Sequence, residues 1–367
     1  MIKFLWELHI IAKNHPVNKK LKEALKIIIF FGLGIFVAFW VYGTMSANDK
    51  LEFWSALSNA NYLWLILSIL IGTLAHYVRA LRWKLIIEPF GYKPKTYNLF
   101  FAVMNMYFFN AMVPRLGEVT RCAMLRTYEK IPVEKSLGTV VAERAVDLFC
   151  FAGFLGLIAL FNWETYVEVY AAIQVAINEF LYGAGPKPDP GFLHKNWKFI
   201  AVGFVLVLFG ILFLFRKHKF INKIYSKFIG VAKGFWEGLK STLLIKKRFL
   251  FIFYTLSIWG LYFCMTYVCF FSLPQTSSTH LFAPFAIMIF GSFAIMATPN
   301  GLGVFPVVVA VILNLPEFGA VDKGVGNALG WIIWGAQEVM ILSVGMLVML
   351  LIPIFNRNNN PKSDLAG

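Results

Sequence analysis

Charged residues are scarce in this chain. They make up 14% of its 367 residues, against about 25% in an ordinary soluble domain. Hydrophobic residues account for 59%, and apolar runs long enough to cross the ~30 Å core of a bilayer recur along the whole length. The sequence therefore excludes a water-soluble globule and predicts an all-α, polytopic integral membrane protein.

Cysteine and histidine are also sparse. The four cysteines form no C-x-x-C pair, and the six histidines are never spaced i, i+4, so neither a zinc site nor a disulfide framework is indicated. The motifs G-x-x-x-x-G-K-[ST], H-E-x-x-H and G-x-S-x-G do not occur, which argues against nucleotide hydrolysis and common hydrolase chemistry. We expect no metal, no cofactor and no enzymatic activity.

Six apolar runs predict full transmembrane helices, near residues 27–42, 62–78, 137–161, 199–215, 249–271 and 330–354. Two further runs are interrupted by proline and glycine, which break helices. The first, 97–125, is broken at 113–118, and the second, 281–315, is broken at 298–303. We interpret both as re-entrant or broken helical hairpins, in a possible inverted repeat.

Lys and Arg are distributed unevenly between the loops of this arrangement. If both hairpins turn back, 28 of the 34 basic residues fall on one side and five on the other. Cytoplasmic loops carry the basic excess, so we expect both termini in the cytoplasm and the protein in the inner (cytoplasmic) membrane. The predicted organisation is a cytoplasmic amphipathic segment, a membrane domain and a cytoplasmic tail, at residues 1–26, 27–355 and 356–367.

The most basic stretch, 216–248, has ten basic residues and one acid, with apolar residues at helical spacing. This pattern is typical of an amphipathic helix on an anionic membrane surface. It serves either as a plain positive-inside anchor or as a helix that also gathers anionic lipid. A nucleic-acid-binding arm would leave the apolar stripe unexplained, so no nucleic-acid partner is expected.

The two broken helices predict a cavity. An unsatisfied backbone group costs several kcal/mol in a bilayer, so a broken helix persists only where protein encloses it or where it lines a polar cavity. Broken helices at corresponding positions of two halves indicate a transport site in inverted-repeat proteins. The alternative is two unrelated structural kinks.

Charged residues follow the first break at spacings of three. If this segment is helical, Arg115, Glu118 and Arg121 share roughly one face. Guanidinium groups bind phosphate oxygens in a bidentate manner, so the pattern suits a phospholipid or polyprenyl-phosphate headgroup. Interfacial anchoring by the two arginines is the alternative.

A second charged group lies inside the predicted span 137–161. Ionisable groups within spans are costly and normally pair or serve a pathway. Arg144 can meet Asp147 at i+3, which leaves Glu143 without a local partner. We expect Glu143 to reach Arg115 or Arg121 of the first hairpin, and a purely structural ion-pair cluster is the alternative.

Glu338 lies a few residues inside the last predicted span. It is either a proton-linked carboxylate or a group hydrogen-bonded to the second hairpin. At the end of the second span, Arg79, Arg82 and Trp83 have the pattern of an interfacial motif of cations and tryptophan, and we interpret them as interfacial residues.

Several of these segments resemble one protein family. The run from Pro114 to Arg121, with 143–147, resembles the P-x-R-x-G-E-x-x-R and E-R-x-x-D signature of the lysylphosphatidylglycerol synthase transmembrane-region family. Residues 79–83 resemble its R-x-x-R-W segment, and 298–303 its P-x-G-G-x-G hairpin. The family commonly has an acid after those glycines. Pro306 stands near that place here, so the role of the acid is either absent or moved, with Glu338 as the candidate.

The resemblance implies a stand-alone, flippase-like membrane domain without the aminoacyl transferase domain of the full synthases. The expected function is passage of an anionic, aminoacylated or polyprenyl-phosphate lipid headgroup through a central polar cavity. The alternatives are a lipid-modifying transferase or its membrane partner, and a lipid-sensing regulator. Expected partners are a membrane lipid and a lipid synthase or glycosyltransferase. The candidate substrate-binding residues are Arg115, Glu118, Arg121, Glu143, Arg144, Asp147, Pro299, Asn300, Gly301, Gly303 and Glu338.

Overall fold

The computed structural model describes residues 32, 34–113, 116–161, 163, 167–169, 171–175 and 245–357. Within these residues the regular structure is helical, without a β-strand, as the sequence predicts. The described helices are α1 (Gly34–Thr44), α2 (Ala47–Ser58), α3 (Leu63–Ile87), α4 (Thr96–Met112), α5 (Leu116–Glu129), α6 (Val133–Phe161), α7 (Arg248–Phe270), α8 (Phe282–Ala297), α9 (Val304–Leu313) and α10 (Lys323–Phe355).

Three of these helices, α3, α7 and α10, are long enough and apolar enough to cross a membrane. They contain 25, 23 and 33 residues, which at about 1.5 Å per residue exceeds the ~30 Å hydrocarbon core. The polytopic all-helical class is therefore confirmed. The predicted span 199–215, the segment 1–26 and most of 216–248 and 356–367 lie outside the described residues.

The first predicted break is present. Helix α4 ends at Met112 and α5 begins at Leu116, and Pro114 in the sequence between them disfavours helical backbone at the preceding residue. The backbone N–H of Gly117 donates a hydrogen bond to Asn110 Oδ1 at 2.8 Å. This bond satisfies one of the N–H groups that the start of a helix leaves without a partner.

The second predicted break is also present. Helix α8 ends at Ala297, and a short 3-10 turn (Pro299–Gly301) leads into α9. Asn300 has φ 47° and ψ 29°, while Gly301 and Gly303 have φ of 81° and 76°. Left-handed backbone of this kind favours glycine and tolerates asparagine. The re-entrant topology of both interrupted helices stays a prediction.

The chain divides into two compact units. The first comprises the described residues within 1–73, 107–117 and 261–347, and the second those within 74–106, 118–260 and 348–367. In the first unit, the second break packs closely on α1, because a Cβ at Gly303 would meet the backbone of Gly34 and Ala38. Helix α9 packs equally closely on α10, where a Cβ at Gly330 would meet Pro306.

Candidate functional site

A buried ion-pair cluster lies in the second unit, and Glu143 of α6 is at its centre. Arg121 of α5 donates from Nη2 to Glu143 Oε2 at 2.6 Å. On the other carboxylate oxygen, Oε1, Arg79 Nη1 donates at 2.8 Å and Arg82 Nη2 at 3.4 Å. All four side chains are buried. The expected contact between Glu143 and an arginine after the first break is confirmed, with Arg121 as the partner.

Asp147, one turn further along α6, completes the cluster. It accepts from Arg79 Nη1 at 2.9 Å and from Arg82 Nη2 at 2.6 Å. Two arginines of α3, spaced i, i+3, therefore face two carboxylates of α6, spaced i, i+4. This pairing satisfies the carboxylates where unpaired charges would be costly.

The Arg121 side chain is also held by uncharged neighbours. Its guanidinium carbon lies 4.1 Å from the ring centroid of Trp83, a cation–π contact. Trp83 in turn donates from Nε1 to Thr139 Oγ1 at 2.9 Å. Trp83 of α3 and Glu143 of α6 thus hold the Arg121 guanidinium from two sides.

One expected pairing on these helices is wrong. Asp147 pairs with arginines of α3 and not with Arg144, whose Nη2 instead donates to Glu118 Oε1 at 3.0 Å. Arg121, which the spacing places on the face of Glu118, pairs with Glu143. Asp147 therefore pairs with a neighbouring helix and not along its own, because the guanidinium groups of α3 lie within hydrogen-bond distance of its carboxylate.

The interpretation of Arg79, Arg82 and Trp83 as interfacial anchors does not fit their burial. Arg82 and Trp83 are fully buried and Arg79 is nearly so, whereas anchoring side chains keep their polar ends in the headgroup region. Their role in the cluster is the main feature that the sequence reasoning missed. The sequence did contain a signal for this role. Arg79 and Arg82 are spaced i, i+3, and the predicted span 137–161 contains two acids, Glu143 and Asp147, but only one arginine.

The second break and α10 form a separate polar contact in the first unit. Asn300 donates from Nδ2 to Glu338 Oε1 at 3.0 Å, and Trp334 donates from Nε1 to the backbone oxygen of Asn300 at 2.9 Å. Trp334 and Glu338 are spaced i, i+4 and so lie on one face of α10. Glu338 therefore is hydrogen-bonded to the second hairpin, one of its two predicted states.

A cavity of about 420 Å³ opens at this contact. It is lined by Ala111, Met112, Asn300, Leu302, Trp334, Glu338 and Leu342. Met112 is the last residue of α4, directly before the first break, whereas Asn300 and Leu302 belong to the second break. The expectation that two broken helices line a single cavity is therefore met in the first unit.

The candidate residues fall into two groups. Glu118, Arg121, Glu143, Arg144 and Asp147 make ion pairs in the second unit, and Asn300 and Glu338 line the cavity of the first. Gly301 and Gly303 shape the second break. Arg115 and the Pro299 side chain lie outside the described part. Within that part, no group of three His, Cys, Asp or Glu residues is arranged to hold a metal ion.

Long apolar helices in an all-helical chain define a multi-pass membrane protein. The chain belongs to the lysylphosphatidylglycerol synthase transmembrane-region family, whose profile, the "Lysylphosphatidylglycerol synthase TM region", matches residues 24–325. This confirms the family indicated by the sequence signatures.

Two curated proteins are similar to the chain. A UPF0104 membrane protein of Methanothermobacter thermautotrophicus is 24% identical over 257 residues, which cover 68% of this chain and 72% of that protein. A UPF0104 membrane protein of Methanocaldococcus jannaschii is 28% identical over 213 residues, which cover 57% of this chain and 80% of that protein. No solved structure matches the chain.

Proposed function

We propose that this protein is a lipid translocase that accepts a lipid headgroup in the cavity between the two helix breaks and passes it across the membrane. The observation that carries the proposal is the lining of that cavity, to which residues beside both breaks contribute. Irregular backbone at membrane depth is tolerated where it lines a cavity, and transport sites of repeat-built carriers lie at such broken helices.

The size of the cavity supports a headgroup as its occupant. A volume of about 420 Å³ is at the lower end of the range for small-molecule sites, about 300–1,000 Å³. A polar headgroup fits this space, while the acyl chains stay in the surrounding apolar medium. The protein then lowers the cost of moving a polar group through hydrocarbon without having to enclose the whole lipid.

The lining favours a headgroup with a positively charged amine. Glu338 is the charged residue among the described lining residues, and Trp334 lies one turn before it. A carboxylate attracts a cation, and an indole ring adds to the binding of an ammonium group. Among the expected headgroups, the lining supports the aminoacylated class better than an anionic phosphate alone.

The described arginines add weight to this choice. Arg121 is buried and its Nη2 already pairs with Glu143 at 2.6 Å. Arg79 and Arg82 are likewise committed to Glu143 and Asp147. We therefore assign the arginines of the second unit to holding helices together, and the headgroup to the cavity with Glu338.

The proposed activity moves the lipid without changing it. The alternatives, a lipid-modifying transferase or a lipid sensor, differ from it in what happens to the lipid: a transferase alters its mass, and a sensor binds it without moving it. Transport combined with mass analysis of the recovered lipid separates the three. Mass spectrometry of lipid that co-purifies with the protein in mild detergent further distinguishes an aminoacyl lipid from a polyprenyl phosphate.

The decisive experiment is a leaflet-exchange assay in vesicles that contain the purified protein. The probes are lysylphosphatidylglycerol and phosphatidylglycerol, each with a fluorophore on an acyl chain, and dithionite quenches only the outer leaflet. The two probes differ in the lysyl group alone. We expect the lysyl lipid to exchange at least about tenfold faster. Of the two probes, only this lipid has ammonium groups, which can pair with the Glu338 carboxylate and compensate for the water that both lose in the cavity.

Glu338→Gln should remove most of this preference, whereas Glu134→Gln should keep it. Glu134 is an exposed carboxylate outside the cavity, so it controls for the loss of a negative charge. Equal exchange rates of both probes would contradict the amine preference. No exchange of any probe by folded protein would contradict translocation itself.

A further inference from the structure

Glu338 lies in an unusual environment for a carboxylate. Asn300 Nδ2 donates a hydrogen bond to it, and the ion pairs among the described residues do not include it. Apart from Asn300, Trp334 and Glu338 itself, the cavity is lined by apolar side chains. A negative charge in such a place is costly unless something neutralises it.

Few other ionisable groups belong to the elements that surround the cavity. None of the other lining residues can be titrated. Helices α8 and α9 contain no ionisable residue, α4 contains Tyr97 and Tyr107, and α1, which packs on Leu302, contains Tyr42. On α10, Lys323 is fifteen residues from Glu338, or about 22 Å along the helix. Within the described part of these elements, no fixed cation therefore lies beside the carboxylate to neutralise it.

Two mobile cations can reach this site: a proton and the ammonium group of the headgroup. Both need the same carboxylate, and a single carboxylate is neutralised by one of them at a time. We propose that the protein exchanges lipid for proton: Glu338 holds the ammonium group and a proton in turn, so that one proton crosses in the opposite direction for each lipid. This inference rests on the proposed function.

The exchange has two balanced steps. On one side of the membrane, the carboxylic acid of Glu338 releases its proton to the water of that side, and the resulting carboxylate binds the ammonium group. On the other side, the headgroup leaves and the carboxylate takes a proton from the water there. Intramembrane carboxylates serve as proton carriers in other transporters.

The experiment uses the vesicles of the exchange assay with a pH difference of one unit, while valinomycin and equal potassium concentrations hold the membrane potential at zero. The measured quantity is the final ratio of labelled lysylphosphatidylglycerol between the leaflets. One-for-one exchange drives the lipid toward the leaflet that faces the more acidic solution. A difference of one pH unit corresponds to a ratio of about ten.

Wild type and Glu134→Gln should both reach this ratio. Glu338→Gln, which cannot carry a proton, should show a ratio near one, as should vesicles without protein. Glu338→Asp, which keeps the carboxylate, should approach ten more slowly, and its behaviour guards against a folding defect in the glutamine variant. Retention of the monodisperse gel-filtration profile identifies variants that have folded.

A ratio near one with wild type that still moves the lipid would overturn the proton exchange and leave the translocation intact. A ratio near ten with Glu338→Gln would overturn the role of this residue. Absence of movement with wild type at any pH difference would count against the proposed function itself. The two proposals therefore fail in distinguishable ways.

Discussion

Glu143 and Arg121 form a buried ion pair between α6 and α5, with 2.6 Å between Oε2 and Nη2. The helix that follows the first break is thereby fixed to the helix with the E-R-x-x-D sequence. The pair is not isolated, because Glu143 also binds Arg79 and Arg82. Replacing Glu143 should therefore cost more stability than replacing Arg121.

Glu143→Gln should destabilise the protein by ~3–5 kcal/mol, because it leaves the buried Arg121 without its carboxylate and three guanidinium groups with Asp147 alone. Arg121→Gln should cost less, since Glu143 keeps two arginines. The double variant should cost less than the sum of the singles, with a coupling energy above ~1 kcal/mol. Thermal unfolding of all four proteins in one detergent measures this cycle, and additive effects would show that the pair is energetically irrelevant.

The pair between Glu118 and Arg144 provides a matched comparison on the same two helices. Its side chains are 25% and 45% exposed, against 1% for both Glu143 and Arg121. Exposed pairs contribute ~0–1 kcal/mol. The corresponding cycle of Glu118→Gln and Arg144→Gln should therefore show a coupling energy well below that of the buried pair.

The sequence limits the partner of Glu143 to Arg115 or Arg121, and the structure shows Arg121. It does not predict Arg79 and Arg82, which pair with both Glu143 and Asp147. Two arginines of α3 lie more than sixty residues from Asp147 along the chain, so no local spacing relates them. Local rules favour Arg144, three residues away, and the structure turns this side chain toward Glu118. Which of several cations a buried acid selects depends on how the helices are rotated, and that is set by packing along their whole length.

Gly303 should tolerate substitution poorly. Its φ of 76° is strained for any residue with a Cβ, and that Cβ would meet the backbone of Gly34 and Ala38. Gly91 has a φ of 85° and nothing within 4 Å of a Cβ. A substitution at Gly91 therefore measures the backbone strain alone, without a steric clash. Alanine at either position should cost ~1–3 kcal/mol through the backbone, and Gly303→Ala should cost a further ~1–3 kcal/mol through overpacking.

Thermal unfolding of Gly303→Ala and Gly91→Ala checks this difference. Equal stability of the two variants would mean that the second break does not pack on α1 as closely as the structure shows.

Asn300 combines left-handed backbone with the hydrogen bond to Glu338. Asn300→Gly should keep the backbone and lose the bond, whereas Asn300→Ala should lose both. We therefore expect the alanine variant to be less stable than the glycine variant by ~1 kcal/mol. Both should slow lipid exchange alike if the amide orients Glu338, and exchange at the wild-type rate in Asn300→Gly would exclude that orienting role.

The topology predicted from charge is tested by cysteine labelling with a membrane-impermeant reagent. In a background without the four native cysteines, Asn48→Cys should react from outside the cell and Arg126→Cys only after permeabilisation. Both positions are exposed, so access depends on the side of the membrane. Reaction at 126 in intact cells would show that the first broken helix crosses instead of turning back.

Both helix breaks are predictable because their causes are local. Pro114 lies in the first, and Asn300 and Gly301 in the second adopt backbone that a continuous helix does not allow. The contact between Asn300 and Glu338 is less accessible from sequence, since thirty-eight residues separate them. This contact depends on the position of α10 along the second break. The close packing of Gly330 of α10 against Pro306 of α9 helps to fix that position.

The central claim, that the headgroup passes through the cavity between the breaks, is tested most directly by filling that cavity. Leu342 lines it, whereas Leu347 is exposed five residues later on the same helix. In the leaflet-exchange assay with labelled lysylphosphatidylglycerol, Leu342→Trp should slow exchange at least about tenfold, and Leu347→Trp should match wild type. Equal exchange rates for the two tryptophan variants would contradict the account.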